Sequence, residues 1–234
     1  ALVTTAAYGL VRLYDPTGTK RAEAAPRRGA RPYGLAVSPD GALIAIGYET
    51  HPAVDVLHLQ GLRPAFMPDV SALDVAALPA VAWASDGRGG VQLHAAGAGR
   101  RGGVIRRWAD FGLGPGTDLV AARDSIPHLL PLPGGGLAYA AADPGWGIVG
   151  PDGALARRPA PPSADPRAAR DTLAVSADGQ TVEWQGGAGR LRFEVATGRL
   201  VGAAARGADV ALARTEAAGL AIANWRDAAP PRLN

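Results

Sequence analysis

Leu35-Ala36-Val37-Ser38-Pro39-Asp40-Gly41-Ala42-Leu43-Ile44-Ala45-Ile46 decides the fold. Two short apolar runs flank Ser-Pro-Asp-Gly, and Gly accepts the positive φ of a tight turn at no steric cost. This is the pattern of a β-hairpin. The turn recurs as Ala84-Ser85-Asp86-Gly87 and Ser176-Ala177-Asp178-Gly179, with a degenerate copy at Leu132-Pro133-Gly134-Gly135. The third residue of each copy is at 40, 86, 134 and 178, so the steps are 46 (86 − 40), 48 (134 − 86) and 44 (178 − 134).

A second turn series runs out of phase with the first. It reads Asp15-Pro16-Thr17-Gly18, Leu59-Gln60-Gly61, Gly150-Pro151-Asp152-Gly153 and Ala196-Thr197-Gly198, with Trp108-Ala109-Asp110-Phe111-Gly112 where another copy is due. Each follows a third apolar run, such as Val11-Arg12-Leu13-Tyr14 or Val54-Asp55-Val56-Leu57, and precedes a fourth, less regular segment. Four strands in roughly 40–45 residues is the period of a propeller blade. The spacing predicts an all-β, WD40-like β-propeller of four-stranded antiparallel blades. Blade boundaries fall roughly at 1–29, 30–75, 76–124, 125–168, 169–207 and 208–234, within one propeller region. The first and last units read as partial. The expectation is four full blades and two partial ones, a fragment of a larger ring.

Composition agrees. The 32 glycines and 20 prolines break nearly every helical window, and 47% hydrophobic residues suffice for a core. Cysteine is absent, which excludes disulfides, Cys-based zinc sites and a thiol nucleophile. No apolar run approaches the roughly 20 residues of a membrane helix. The net charge of +3 comes almost wholly from arginine, Lys20 being the one lysine. Arg27–Arg28, Arg100–Arg101, Arg106–Arg107 and Arg157–Arg158 are scattered rather than gathered. A nucleic-acid binder concentrates such charge on one face. The expected partner is therefore a protein or peptide, without nucleic acid or membrane.

The repeats resemble WD40 repeats. Leu13-Tyr14-Asp15 and Arg107-Trp108-Ala109-Asp110 are similar to the strand ending that names that family, although no Gly-His pair precedes a blade and the Trp-Asp dipeptide is absent. A narrower resemblance covers Leu2–Thr5 to Val11–Asp15, Arg31–Gly34 to Asp40–Gly41, Ala53–Leu57, Ala138–Pro144, Asn224–Trp225 and Pro231–Asn234. These stretches look like the WD40 region of bacterial caspase-family proteins. That resemblance implies an accessory propeller beside a peptidase domain outside this segment. It brings no catalytic residue, since the family's His/Cys pair has no counterpart here.

Other motifs read as scaffold. Gly97-Ala98-Gly99-Arg100-Arg101-Gly102 satisfies G-x-G-x-x-G, but strand rather than helix follows, so a hairpin is expected instead of a dinucleotide site. His51, His58, His94 and His128 lack zinc-site spacing and are expected in loops or at strand ends. Asp143-Pro144-Gly145-Trp146-Gly147 offers too few oxygens for calcium and reads as a turn presenting Trp146. Trp83, Trp108, Trp184 and Trp225 are expected to pack between blades. No catalytic, metal or cofactor residue is predicted. Trp146, Arg100 and Arg101 are the candidate loop-surface contacts. Two functions remain open: an interaction, scaffold or sensor module, or a propeller hydrolase or lyase with acids and histidines at the channel mouth.

Overall fold

The computed structural model describes residues 1–6, 8–27, 30–143, 145–159, 173–186, 189–204 and 221–224. Almost all regular structure among them is strand. The first sheet holds β1 (Leu2–Thr5), β2 (Val11–Tyr14) and β3 (Lys20–Ala24). The second is β4 (Pro32–Val37), β5 (Leu43–Tyr48), β6 (Val54–His58) and β7 (Pro64–Phe66). The third is β8 (Ala80–Ser85), β9 (Val91–Gly99), β10 (Gly102–Trp108) and β11 (Gly116–Ala122). The fourth is β12 (His128–Pro131), β13 (Leu137–Ala141), β14 (Gly145–Val149) and β15 (Leu155–Pro159). The fifth is β16 (Leu173–Val175), β17 (Thr181–Gly186), β18 (Gly189–Glu194) and β19 (Leu200–Ala204). Each of these last four is a four-stranded antiparallel meander.

The two partial units come together. β20 (Ala221–Asn224) pairs with β1 through Leu2↔Ala221 and Thr5↔Asn224, making the first sheet four-stranded in the order β20-β1-β2-β3. β20 therefore completes this sheet. Asp209–Ala213, which the sequence reads as an opening strand of the last unit, lies outside the described residues. The β20–β1 pair is parallel, unlike all the other pairings, and parallel pairs are slightly weaker per residue.

In several of the turns an aspartate caps the backbone, whereas the 132–136 copy holds none. Asp40 Oδ1 accepts the Ala42 N–H at 3.0 Å, and Ser38 N–H closes the hairpin on Leu43 O at 2.9 Å. Asp178 repeats this with Gln180 at 3.0 Å. Asp86 takes the N–H groups of Arg88 and Gly90, both at 2.8 Å. In the second series Asp15 accepts from Thr17 at 3.0 Å and Thr19 at 2.9 Å. Hydrogen bonds to the ionised form, first of all from the Thr17 hydroxyl at 2.6 Å, hold the Asp15 carboxyl down at about 2. The Ser38 and Ser176 hydroxyls chiefly lower those of Asp40 and Asp178, and the Arg88 and Gly90 N–H groups that of Asp86.

Strand alternation sorts the core into junctions. Ile44 and Ile46 face the first sheet and pack with Val3 and Val11. Ala45 between them faces the third, with Val56, Trp83, Leu93 and Trp108. Ala82, Ala96 and Ile105 meet Leu129, Leu137 and Tyr139 of the fourth sheet. Ala138, Ala140 and Trp146 meet Leu173, Val182 and Phe193 of the fifth. The outward faces of the first and fifth sheets carry ion pairs in place of an apolar junction. Arg12 pairs with Glu23 at 2.7 Å on one, and Arg192 with Glu183 at 2.6 Å on the other. Among the described residues no apolar cluster joins those two faces.

Candidate functional site

Antiparallel order puts the two turn series at one end of every sheet. The second-to-third-strand hairpins and the connections between sheets lie at the other. The turn end is uniform, with mostly five-residue turns bonded to themselves, as at 38–42, 86–90, 132–136 and 176–180. The connection end varies from sheet to sheet: 25–31, 67–79 and 123–127 differ in length and path.

The 67–79 connection fills the space between the second and third sheets. Leu78 O accepts the Tyr48 N–H at 2.9 Å, Leu78 N–H donates to His51 O at 3.2 Å, and Ala76 N–H donates to Ala98 O at 3.2 Å. Glycine makes room for it. A Cβ on Gly97 would stand 2.0 Å from Ala77 O, one on Gly47 2.4 Å from Leu78 O, and one on Gly34 2.3 Å from Pro79 O. Arg106 anchors the same connection, donating to Asp69 O at 3.2 Å and Ser71 O at 3.0 Å while clasping Asp118 with two bonds.

At this end of the second sheet, Asp55 is buried inside an apolar strand. Tyr48 Oη donates to its Oδ2 at 2.5 Å and Arg27 approaches its Oδ1 at 3.2 Å. Burial and the neighbouring carboxylate push the Tyr48 phenol up, so it stays a donor. The acid within Val54-Asp55-Val56-Leu57 was the sequence signal for this network.

The 123–127 connection is short and leaves a cleft of about 450 Å³ at the mouth of the third–fourth junction. Ala122, Arg123, Tyr139, Asp143, Gly145 and Arg157 are among its walls. Asp143 Oδ2 accepts the Arg123 N–H at 2.8 Å, whereas Asp143 Oδ1 is buried without a partner. Arg157 donates to Val120 O at 2.6 Å and Tyr139 Oη to Ala121 O at 2.7 Å. Burial pushes the Tyr139 phenol up to about 12. The Arg123 side chain is exposed and makes no hydrogen bond or ion pair among the described residues.

Arg100 and Arg101 stand exposed on the β9–β10 hairpin, Arg100 3.5 Å from Asp74. The G-x-G-x-x-G stretch is that hairpin, with strand on both sides. Trp146 corrects the loop reading: it lies in β14, 1% exposed, its ring 5.3 Å from Phe193. It pairs in register with Ala140 and Arg158, so alternation turns it into the fourth–fifth junction. Trp83 and Trp108 are buried as expected. The Trp184 side chain and Trp225 lie outside what is described.

His51 sits in a loop beside Thr50 at 2.9 Å, His58 ends β6, and His128 begins β12. His94 departs from the expectation. It is buried in the middle of β9, where desolvation first and the Arg107 charge second lower it to about 3. Among the described residues no three His, Asp or Glu side chains gather closely enough to hold a metal ion.

No known family's sequence pattern matches the chain, and no curated protein matches it. Solved structures do. U3-55K, a WD40 protein, superposes with a TM-score of 0.67 at 14% identity, over 84% of this chain and 58% of that one. Dihydro-heme d1 dehydrogenase NirN in complex with DHE gives 0.61 at 16% identity, over 87% of this chain and 43% of that one. The chain spans about half the length of these structures. At such identities the likeness concerns the fold alone, and the fold is a WD40-like β-propeller.

Proposed function

We propose that this chain is a non-catalytic interaction module that binds a protein or peptide at its connection end. One observation carries the reading. The turn end is uniform and bonded to itself, whereas the connection end changes from sheet to sheet while resting on rigid strands. Loops that vary on a rigid scaffold are where binding resides. The likeness to a WD40 protein supports an interaction propeller in general. The stretches similar to the WD40 region of bacterial caspase-family proteins support an accessory role beside a peptidase domain elsewhere in a longer protein. NirN is named a dehydrogenase, so a propeller enzyme is the alternative, resting on the fold alone.

A random peptide library panned on the folded chain tests the reading. Selected peptides should lose about tenfold or more in affinity when Arg31, Arg100 and Arg101 are changed to Glu, and keep it in Arg88→Glu at the turn end. The reading fails if no peptide is enriched, or if binding follows the turn end. Cleavage of basic-residue peptides that tracks with the purified chain would overturn its non-catalytic part.

A further inference from the structure

We propose that the cleft at the mouth of the third–fourth junction holds one acidic residue of an extended partner peptide, an inference that rests on the interaction-module reading. Two features of the cleft point to this ligand. Asp143 Oδ1 is buried with its acceptor capacity unmet, while its sister oxygen is bound by the Arg123 N–H at 2.8 Å. A buried carboxylate oxygen without a donor is costly, and such orphans call for a missing partner. Beside it stand two guanidinium groups. Among the described residues the Arg123 side chain has no partner, and Arg157 donates to Val120 O at 2.6 Å and lies beside the Tyr139 hydroxyl with further donors to spare. A ligand that fits must bring a donor for Asp143 and an anion for the arginines.

An acidic residue in an extended strand brings both. Its main-chain N–H meets Asp143 Oδ1 and its carboxylate lies against Arg123 and Arg157, whose planar forks match carboxylate geometry. Net charge in the cleft favours a singly charged anion over a basic ligand, because the arginines lining it outnumber its one aspartate. Single-stranded nucleic acid is disfavoured for a different reason. The aromatic residues at the cleft, Tyr139 and Trp146, are each 1% exposed and offer no ring face on which a base could stack. Gly145 keeps the approach open: a Cβ there would stand 4.0 Å from Asp143 Oδ1, in the path of the incoming chain.

The test is an NMR titration of the chain with three blocked pentapeptides, alike except for a central Glu, Gln or phosphoserine. The Glu peptide at millimolar concentration should shift the Arg123 backbone amide and the Arg157 Nε–H, with the Gln peptide about tenfold weaker or more. R123Q should weaken the Glu peptide by a similar factor, and R88Q at the turn end should leave it unchanged. R157Q is a second arm where its spectrum remains dispersed, but R123Q suffices because that side chain supports nothing else. Equal response to Glu and Gln, or silent cleft amides, would mean that only water meets Asp143 and would overturn the proposal. Tighter binding of the phosphoserine peptide by about tenfold would replace the carboxylate with a phosphoryl group. If library-selected peptides still bind at Arg100 and Arg101 while the cleft stays silent, the cleft assignment falls and the interaction reading stands.

Discussion

The second–third and third–fourth junctions are built from the same strand repeats, yet one is sealed and the other gapes. Between the second and third sheets the 67–79 connection runs back into the space between the sheets and hydrogen-bonds to both. Between the third and fourth the 123–127 connection crosses directly, leaving an arginine-walled cleft. The apolar packing below is similar in kind, with Trp83 and Trp108 on one side and Ile105 and Tyr139 on the other. Connection length, which the repeat does not specify, therefore decides which junction is available to a ligand.

The strongest way to break the comparison is to unseat the seal. Gly97→Val places methyl groups where Ala77 O already sits, 2.0 Å from the new Cβ. It should cost more than about 3 kcal/mol in urea unfolding. A near-neutral result would mean that the connection is not wedged against β9.

Acid should act on the gaping side. His94 alternates with Leu93 and Ala95 of the sealed junction and so faces the fourth sheet. Its folded value of about 3 lies below the ordinary 6.5. Its contribution is complete above pH 6.5 and is lost as pH falls from there toward 3, because the unfolded chain takes the proton first. The slope should approach about 1.4 kcal/mol per pH unit, and His94→Gln should flatten it. The turn aspartates act lower, their stabilisation present above the ordinary carboxylate value near 3.8 and lost as pH falls through their depressed values. Denaturant midpoints across pH 2–7 separate the two windows.

A matched pair of substitutions compares the first–second junction, where Tyr48 packs, with the gaping third–fourth one. Tyr48→Phe leaves the buried Asp55 carboxylate without its phenol and should cost about 2 kcal/mol. Tyr139→Phe removes a bond to the neutral Ala121 carbonyl and should cost about 1 kcal/mol. Equal losses would show that the Asp55 network is no stronger than an ordinary buried bond. The smallest effect belongs to Arg101→Ala on the exposed hairpin, which should move stability by no more than about 0.5 kcal/mol.

The strands were legible because turn chemistry is local. Asp40-Gly41, Asp86-Gly87 and Asp178-Gly179 each announce a hairpin, and each aspartate is found capping one. The partners across junctions were not legible. Trp146 sits next to Pro144 and Gly145, which read as a loop, and only the register with Ala140 and Arg158 turns its ring inward. His94 follows Val91-Gln92-Leu93 in a strand that runs on to Gly99, so it lies mid-strand rather than at an end. The cleft joins Arg123, Asp143 and Arg157, which come from two sheets and share no spacing in the sequence. Its parts carry meaning only once a short connection has left the gap.

The four apolar junctions also set how the molecule would come apart. Among the described residues the sheets are coupled like links in series, each to its neighbours and to nothing beyond. A core substitution in one junction then weakens one link and leaves the others at full strength. Hydrogen exchange would read this as a stepwise profile, with a break at the second–third junction parting a two-sheet block from a three-sheet block. The first and fifth sheets, each with a single apolar face engaged, would be the earliest to open.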